Sequence, residues 1–88
     1  MSSIEHRVRV VIGGIFGTPF NDVTLEKSLR GDLKFDPLSI AELVLRIEAQ
    51  FGSEIGFVPE GTEIMWQTVE DIVHWITKTA SRVEDVDP

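Results

Sequence analysis

Residues 31–43, GDLKFDPLSIAEL, have the form of a helix start placed to present a reactive hydroxyl, yet the residue after Asp36 is Pro37. The nearest hydroxyl, Ser39, lies two positions on, and at about 3.6 residues per turn its side chain is rotated by about 200° from position 37. As the third residue of a helix it is expected to bond back toward the cap. Ser28 and Ser53 sit on loops in no comparable context. Gly13, Gly14 and Gly17 follow a helical pattern with no Gly-Lys-Ser/Thr behind them, so they are not a phosphate loop. His6 and His74 fall on separate helices, with no serine or carboxylate at the spacing of a hydrolytic triad. Glu84, Asp85 and Asp87 lack the glycine and final glutamate of a calcium loop. With no cysteine, disulfides, thiolate metal sites and a cysteine nucleophile are excluded. The expectation is a non-catalytic protein without a metal site.

Composition narrows the partners. In 88 residues, eight basic side chains stand against fifteen acidic ones, a net charge of −7. That field repels nucleic-acid phosphates and anionic lipid and favours basic protein surfaces. No apolar run approaches the roughly 20 residues of a membrane span, and the N-terminus has no long apolar stretch of the secretory kind. A cytoplasmic monomer is expected. At this length one small core is available, with little stability in reserve.

Three helices would have to position any site. Ser2, Ser3, Ile4 and Glu5 resemble a capping box, and Ile4, Val8, Val11, Ile12 and Ile15 share one helical face. The first helix is predicted over residues 3–16, ended by Gly17 and Pro19. A long connection over residues 18–35 follows, in which Val23, Leu25, Leu29 and Leu33 are spaced to reach a core; so long a loop in a small domain is usually anchored or functional. The second helix is predicted to open on Asp36 as N-cap, with Pro37 at the first helical position, and to end near Phe51 before Gly52. It is apolar over more than half its circumference, so it is either central or keeps an apolar edge for a partner. Residues 53–66, broken by Gly and Pro, allow a short helical turn. Thr68 with an acid three residues on caps a last helix near 69–79, carried by Val69, Ile72, Val73 and Ile76. The fold class is therefore an all-α bundle of three main helices plus a short helix between the second and last. The domain is expected over residues 1–80, with 81–88 an acidic, disordered tail.

The order SSIEHRVRVVIGGIFG, SLRGDL, FDPLSIAELVLRIEAQFGSEI and TVEDIVHWI resembles the acyl carrier proteins over residues 2–78. The resemblance implies a four-helix carrier fold that hands acyl groups, as thioesters, between enzymes of fatty acid, polyketide or related synthesis. In that family an Asp-Ser-Leu triplet opens the second helix, and its serine is esterified by 4′-phosphopantetheine. Here the triplet is Asp36-Pro37-Leu38, so the attachment position holds no nucleophile, and Ser39 is the nearest candidate in its place.

The resemblance also implies docking, through Asp36, Leu38, Glu42, Leu45 and Glu48, on basic patches of synthases, acyltransferases or a phosphopantetheinyl transferase. Ser39, Arg46, Ala49 and Gln50 dilute the family's acidic face, which points to a specialised partner. The segment carrying Phe57, Met65 and Trp66 looks about three residues longer than in compact members, by the same resemblance. Its aromatics either fill the family's acyl tunnel or, as the residue types favour, pack as ordinary core with Trp75. Three functional readings follow: an acyl carrier modified at Ser39 or by another route, a carrier-fold module that docks without a prosthetic group, or a binder of small apolar ligands in the bundle interior.

Overall fold

A computed structural model describes residues 3–84, and the side chains of all these except Phe16 and residues 82–84. Three α-helices form the bundle: α1 (Ile4–Phe16), α2 (Pro37–Ile55) and α3 (Val69–Glu84). Each packs on the other two. Two single 3₁₀ turns, Phe20–Asp22 and Thr62–Met65, lie in the connections. The implied four-helix architecture is corrected here. The element between α2 and α3 is one 3₁₀ turn, because Gly56, Pro59 and Gly61 leave no uninterrupted stretch for an α-helix, and Gly56 and Gly61 take φ of 80° and 92°.

The capping chemistry behaves as its residue types require. Ser3 caps α1 by accepting from the His6 N–H at 3.1 Å, and Gly17 closes that helix in the left-handed conformation. Asp71 and Thr68 cap α3 reciprocally: the Asp71 N–H donates to Thr68 Oγ1 at 3.2 Å, while Asp71 Oδ2 accepts from the Thr68 N–H at 3.0 Å.

Two helix ends differ from expectation. α2 passes through Gly52 to Ile55, because Phe51 and Ile55, one turn apart, are both buried, and the stop comes only at Gly56. α3 continues past Thr79 to Glu84, so the expected tail begins inside a helix; residues 85–88 lie outside the described ones.

The core is built from Val8 and Ile12 of α1, Ile40, Leu43, Ile47, Phe51 and Ile55 of α2, and Val69, Ile72 and Ile76 of α3. The long connection is anchored to it by Val23, Leu29 and Phe35, with Leu25 and Leu33 packed alongside. A bridge between Ser28 and Thr68, with Leu29 N–H donating to the Gln67 carbonyl at 2.8 Å, ties that connection to the start of α3. Arg7 joins α1 to the far end of α2: it pairs with Glu54, donates to the Gln50 carbonyl at 2.7 Å and lies 4.2 Å over the Phe51 ring. Trp66 is buried in the core with its ring edge-on to Trp75 at 5.7 Å, whereas Phe57 and Met65 are mostly exposed. Phe57 therefore fills no interior tunnel.

Candidate functional site

The segment before α2 is shaped by a tight turn. Ser28 Oγ accepts from the N–H groups of Gly31 (3.1 Å) and Asp32 (2.8 Å), and Asp32 Oδ2 accepts in return from Ser28 N–H at 2.9 Å. The Ser28 amide, chiefly, holds the Asp32 carboxyl below its usual range, helped by the Ser28 hydroxyl and by Lys27 and Lys34. Lys34 then takes a left-handed φ of 61°, which turns Phe35 into the core and leaves Asp36 at the surface as the first residue before the helix.

At the helix start Asp36 is extended, its Oδ1 accepts from Ser39 N–H at 2.8 Å, and its carbonyl accepts from Ile40 N–H at 2.9 Å. The Ser39 amide lowers the Asp36 carboxyl, and the Ser39 hydroxyl adds to that. Pro37 follows, exposed, at the first helical position, where no N–H is needed. Ser39 is half-buried, and its polar groups serve the cap. The structure thus brings Asp36, Pro37, Leu38 and Ser39 together at one helix end, but the outward position is the one that carries a pyrrolidine ring.

Further along α2 the expected docking residues separate. Leu38 is 78% and Leu45 65% exposed, and with exposed Ala41 between them they form an apolar edge at i, i+3, i+7. Glu42 is exposed but closed on Arg46 of the same helix at 2.7 Å. Glu48 does something different: its Oε2 accepts from the Val58 N–H at 2.8 Å, which binds the segment after α2 back onto the helix. The α2 edge and that segment enclose an open groove of about 400 Å³ that begins at Pro37. Ile40, Ala41, Val44 and Leu45 form one wall, Val58 and Pro59 the other, and Glu60 and Glu63 supply its acids. The second wall was not foreseen from sequence; an acid at position 48 on a half-buried flank of a helix was the available signal.

A three-helix bundle with a groove opening at the start of its second helix, an aspartate cap there and an apolar edge beside it is the architecture of a small carrier domain. Comparison with known proteins agrees. The family model described as "Phosphopantetheine attachment site" matches residues 6–76. Over 55 residues the chain is 40% identical to acyl carrier protein 2 of Pseudomonas aeruginosa, which covers 62% of this chain and 70% of that protein. The chain belongs to the acyl carrier protein family, whose members carry phosphopantetheine.

At position 37, which the resemblance sets against the family's attachment serine, the residues do not fit covalent attachment of that group. Esterification needs an oxygen nucleophile, and Pro37 has none. What remains is the frame around the missing atom: the cap, the apolar edge and the groove. Among the described residues no helix is long and apolar enough to cross a membrane, and no cluster of His, Cys, Asp or Glu could hold a metal.

Proposed function

We propose that this chain is a non-catalytic carrier-fold module that docks on acyl-transfer or synthase enzymes through the α2 edge without bearing a prosthetic group at position 37. The observation that carries this reading is Pro37 itself, at the first position of α2, flanked by a helix start otherwise suited to the family. The docking face consists of Leu38, Ala41 and Leu45, with Asp36, Glu60 and Glu63 as the acids around it. Apolar contacts there set the lifetime of a complex, while the net charge of −7 steers basic partners toward it. A dedicated partner in fatty acid, polyketide or related synthesis, met in the cytoplasm, suits the diluted acidic pattern.

The test has two parts. Intact mass is measured before and after incubation with coenzyme A and a broad-specificity phosphopantetheinyl transferase, with peptide mapping of any product. The mass is expected to stay unchanged; a stoichiometric adduct mapped to Ser39 would overturn the reading and make the chain a carrier with a displaced nucleophile. The same chain is then added in excess to a reaction that charges an ordinary acyl carrier protein. It is expected to slow that reaction by competing for the docking site, and Leu38→Glu to abolish the effect. Absence of competition with transferases and synthases alike rules out the docking role.

A further inference from the structure

The exposed face of α2 has two flanks that differ in charge. At about 100° per residue, Leu38, Leu45 and Ala49 lie within about 40° of one another and form the crest between them. One flank falls to the groove that begins at Pro37. Glu60 and Glu63 line it there, and neither is ion-paired with a described residue.

The other flank falls toward α1, and on it the charges are matched. Arg46 Nε and Nη2 both reach Glu42 Oε2, at 2.9 and 2.7 Å, with each side chain half-exposed. The guanidinium lies beside Gly14 of α1, where a Cβ would stand 3.8 Å from Nη1. Arg7, Val10 and Gly14 follow one another along α1 at i, i+3 and i+7. Arg7 is paired with Glu54, Val10 is 51% exposed, and Glu5, the one acid of α1, is held by Arg9. Among the described residues, then, the docking face has uncompensated acids on its groove side and none on its α1 side.

The Glu42–Arg46 pair matters more for what approaches than for the fold, because an exposed pair one helical turn apart stabilises little. A partner's lysine or arginine brought up to Glu42 also meets the Arg46 guanidinium, and like charges set against each other at an interface reject a partner. Arg46 Nη1 makes no hydrogen bond with a described residue, so the planar fork still has donors to offer a carboxylate.

We propose that Arg46 selects the partner: it disfavours docking sites that are basic on both sides of the leucine crest and favours one that sets a glutamate or aspartate opposite Arg46, with its cations toward Glu60 and Glu63. This inference rests on the docking reading above and adds the partner's charge pattern to it.

The experiment measures direct binding of the full chain to a broad-specificity phosphopantetheinyl transferase at low salt, for the wild type and for Arg46→Lys, Arg46→Gln and Arg46→Glu, each checked for folding by thermal melt. Arg46→Gln is expected to tighten binding about threefold and Arg46→Glu further, the scale of an exposed charge pair, while Arg46→Lys stays near the wild type. The basic residues of the transferase's carrier-docking site are then changed to glutamate one at a time. At least one such reversal should bind the wild-type chain more tightly than the unaltered transferase does, and Arg46→Gln should lose that gain, the signature of a coupled pair. Leu38→Glu separates the two readings. If it abolishes binding while the Arg46 variants bind like the wild type, docking stands and selection by Arg46 is overturned. If no reversal favours the wild type over Arg46→Gln, the acidic partner residue is overturned. Absence of binding by every variant overturns both.

Discussion

Asp36 and Pro37 divide the work of a helix start between them: the carboxylate satisfies the Ser39 amide, and the ring presets the backbone at a position that has no use for its N–H. Serine is tolerated at the same position, so Pro37→Ser should fold with little change in Tm and acquire a stoichiometric phosphopantetheine adduct on incubation with coenzyme A and a transferase, read by intact mass. Should that variant fold and still resist modification, recognition is blocked by the surface around position 37 as well as by the missing oxygen. Asp36 makes a separate prediction through acid titration. Its carboxyl is held below the usual 3.8, first by the Ser39 amide. A lowered native pKa means that the unfolded chain binds the proton more readily. The contribution is therefore complete above the usual value and fades as pH falls through the lowered one. Asp36→Asn should retain the cap near neutrality and lose this dependence, whereas Asp36→Ala should lower Tm by a few degrees at pH 7; thermal melts between neutrality and strong acid distinguish the two.

At the scale of elements, what could be read in advance had either a period or a cap. α1 was legible at both ends because Ser3 and Gly17 mark them, and the start of α3 because Thr68 and Asp71 cap each other. The end of α2 was obscured by Gly52, since glycine's propensity cost is smaller than the burial of Phe51 and Ile55 on either side of it. The Ser28–Thr68 bridge and the 3₁₀ turn at Phe20–Asp22 left no repeating pattern to detect. The site was half legible. Asp36, Pro37 and the exposed Leu38 and Leu45 lie where the helical pattern puts them, but Glu48, expected at a docking face, has its carboxylate on the Val58 amide. That contact depends on how the segment after α2 folds back, which local sequence does not encode. Val58 is 6% exposed, so Glu48→Ala strands a buried donor and should cost about 1–3 kcal/mol in denaturant melts. Glu48→Gln, which keeps an acceptor, should recover most of the loss. If the two variants melt alike, the bond to Val58 is not what holds that segment.

For the molecule as a whole, one small core has to oppose a large excess of like charge. Ile47 sits fully buried in the middle of α2, the helix that packs on both others, so Ile47→Ala should cost about 2–5 kcal/mol, a large share of the stability a domain of this size commands. Charge acts more diffusely. Arg7, Arg9 and Arg46 are engaged with Glu54, Glu5 and Glu42, and the chain still carries a net charge of −7. Exposed pairs of this kind are worth about 0–1 kcal/mol each, and salt weakens them, but salt also screens the repulsion among the remaining acids. Those repulsions act over distances comparable with the Debye length, about 30 Å at 0.01 M and about 8 Å at 0.15 M, so raising salt across that range removes most of them while leaving contacts of a few ångströms largely intact. Tm should therefore rise by a few degrees between those two conditions at neutral pH. A fall would mean that the three arginine pairs outweigh the net charge, and the Arg46→Gln variant, which deletes the most exposed of them, would then show a smaller fall.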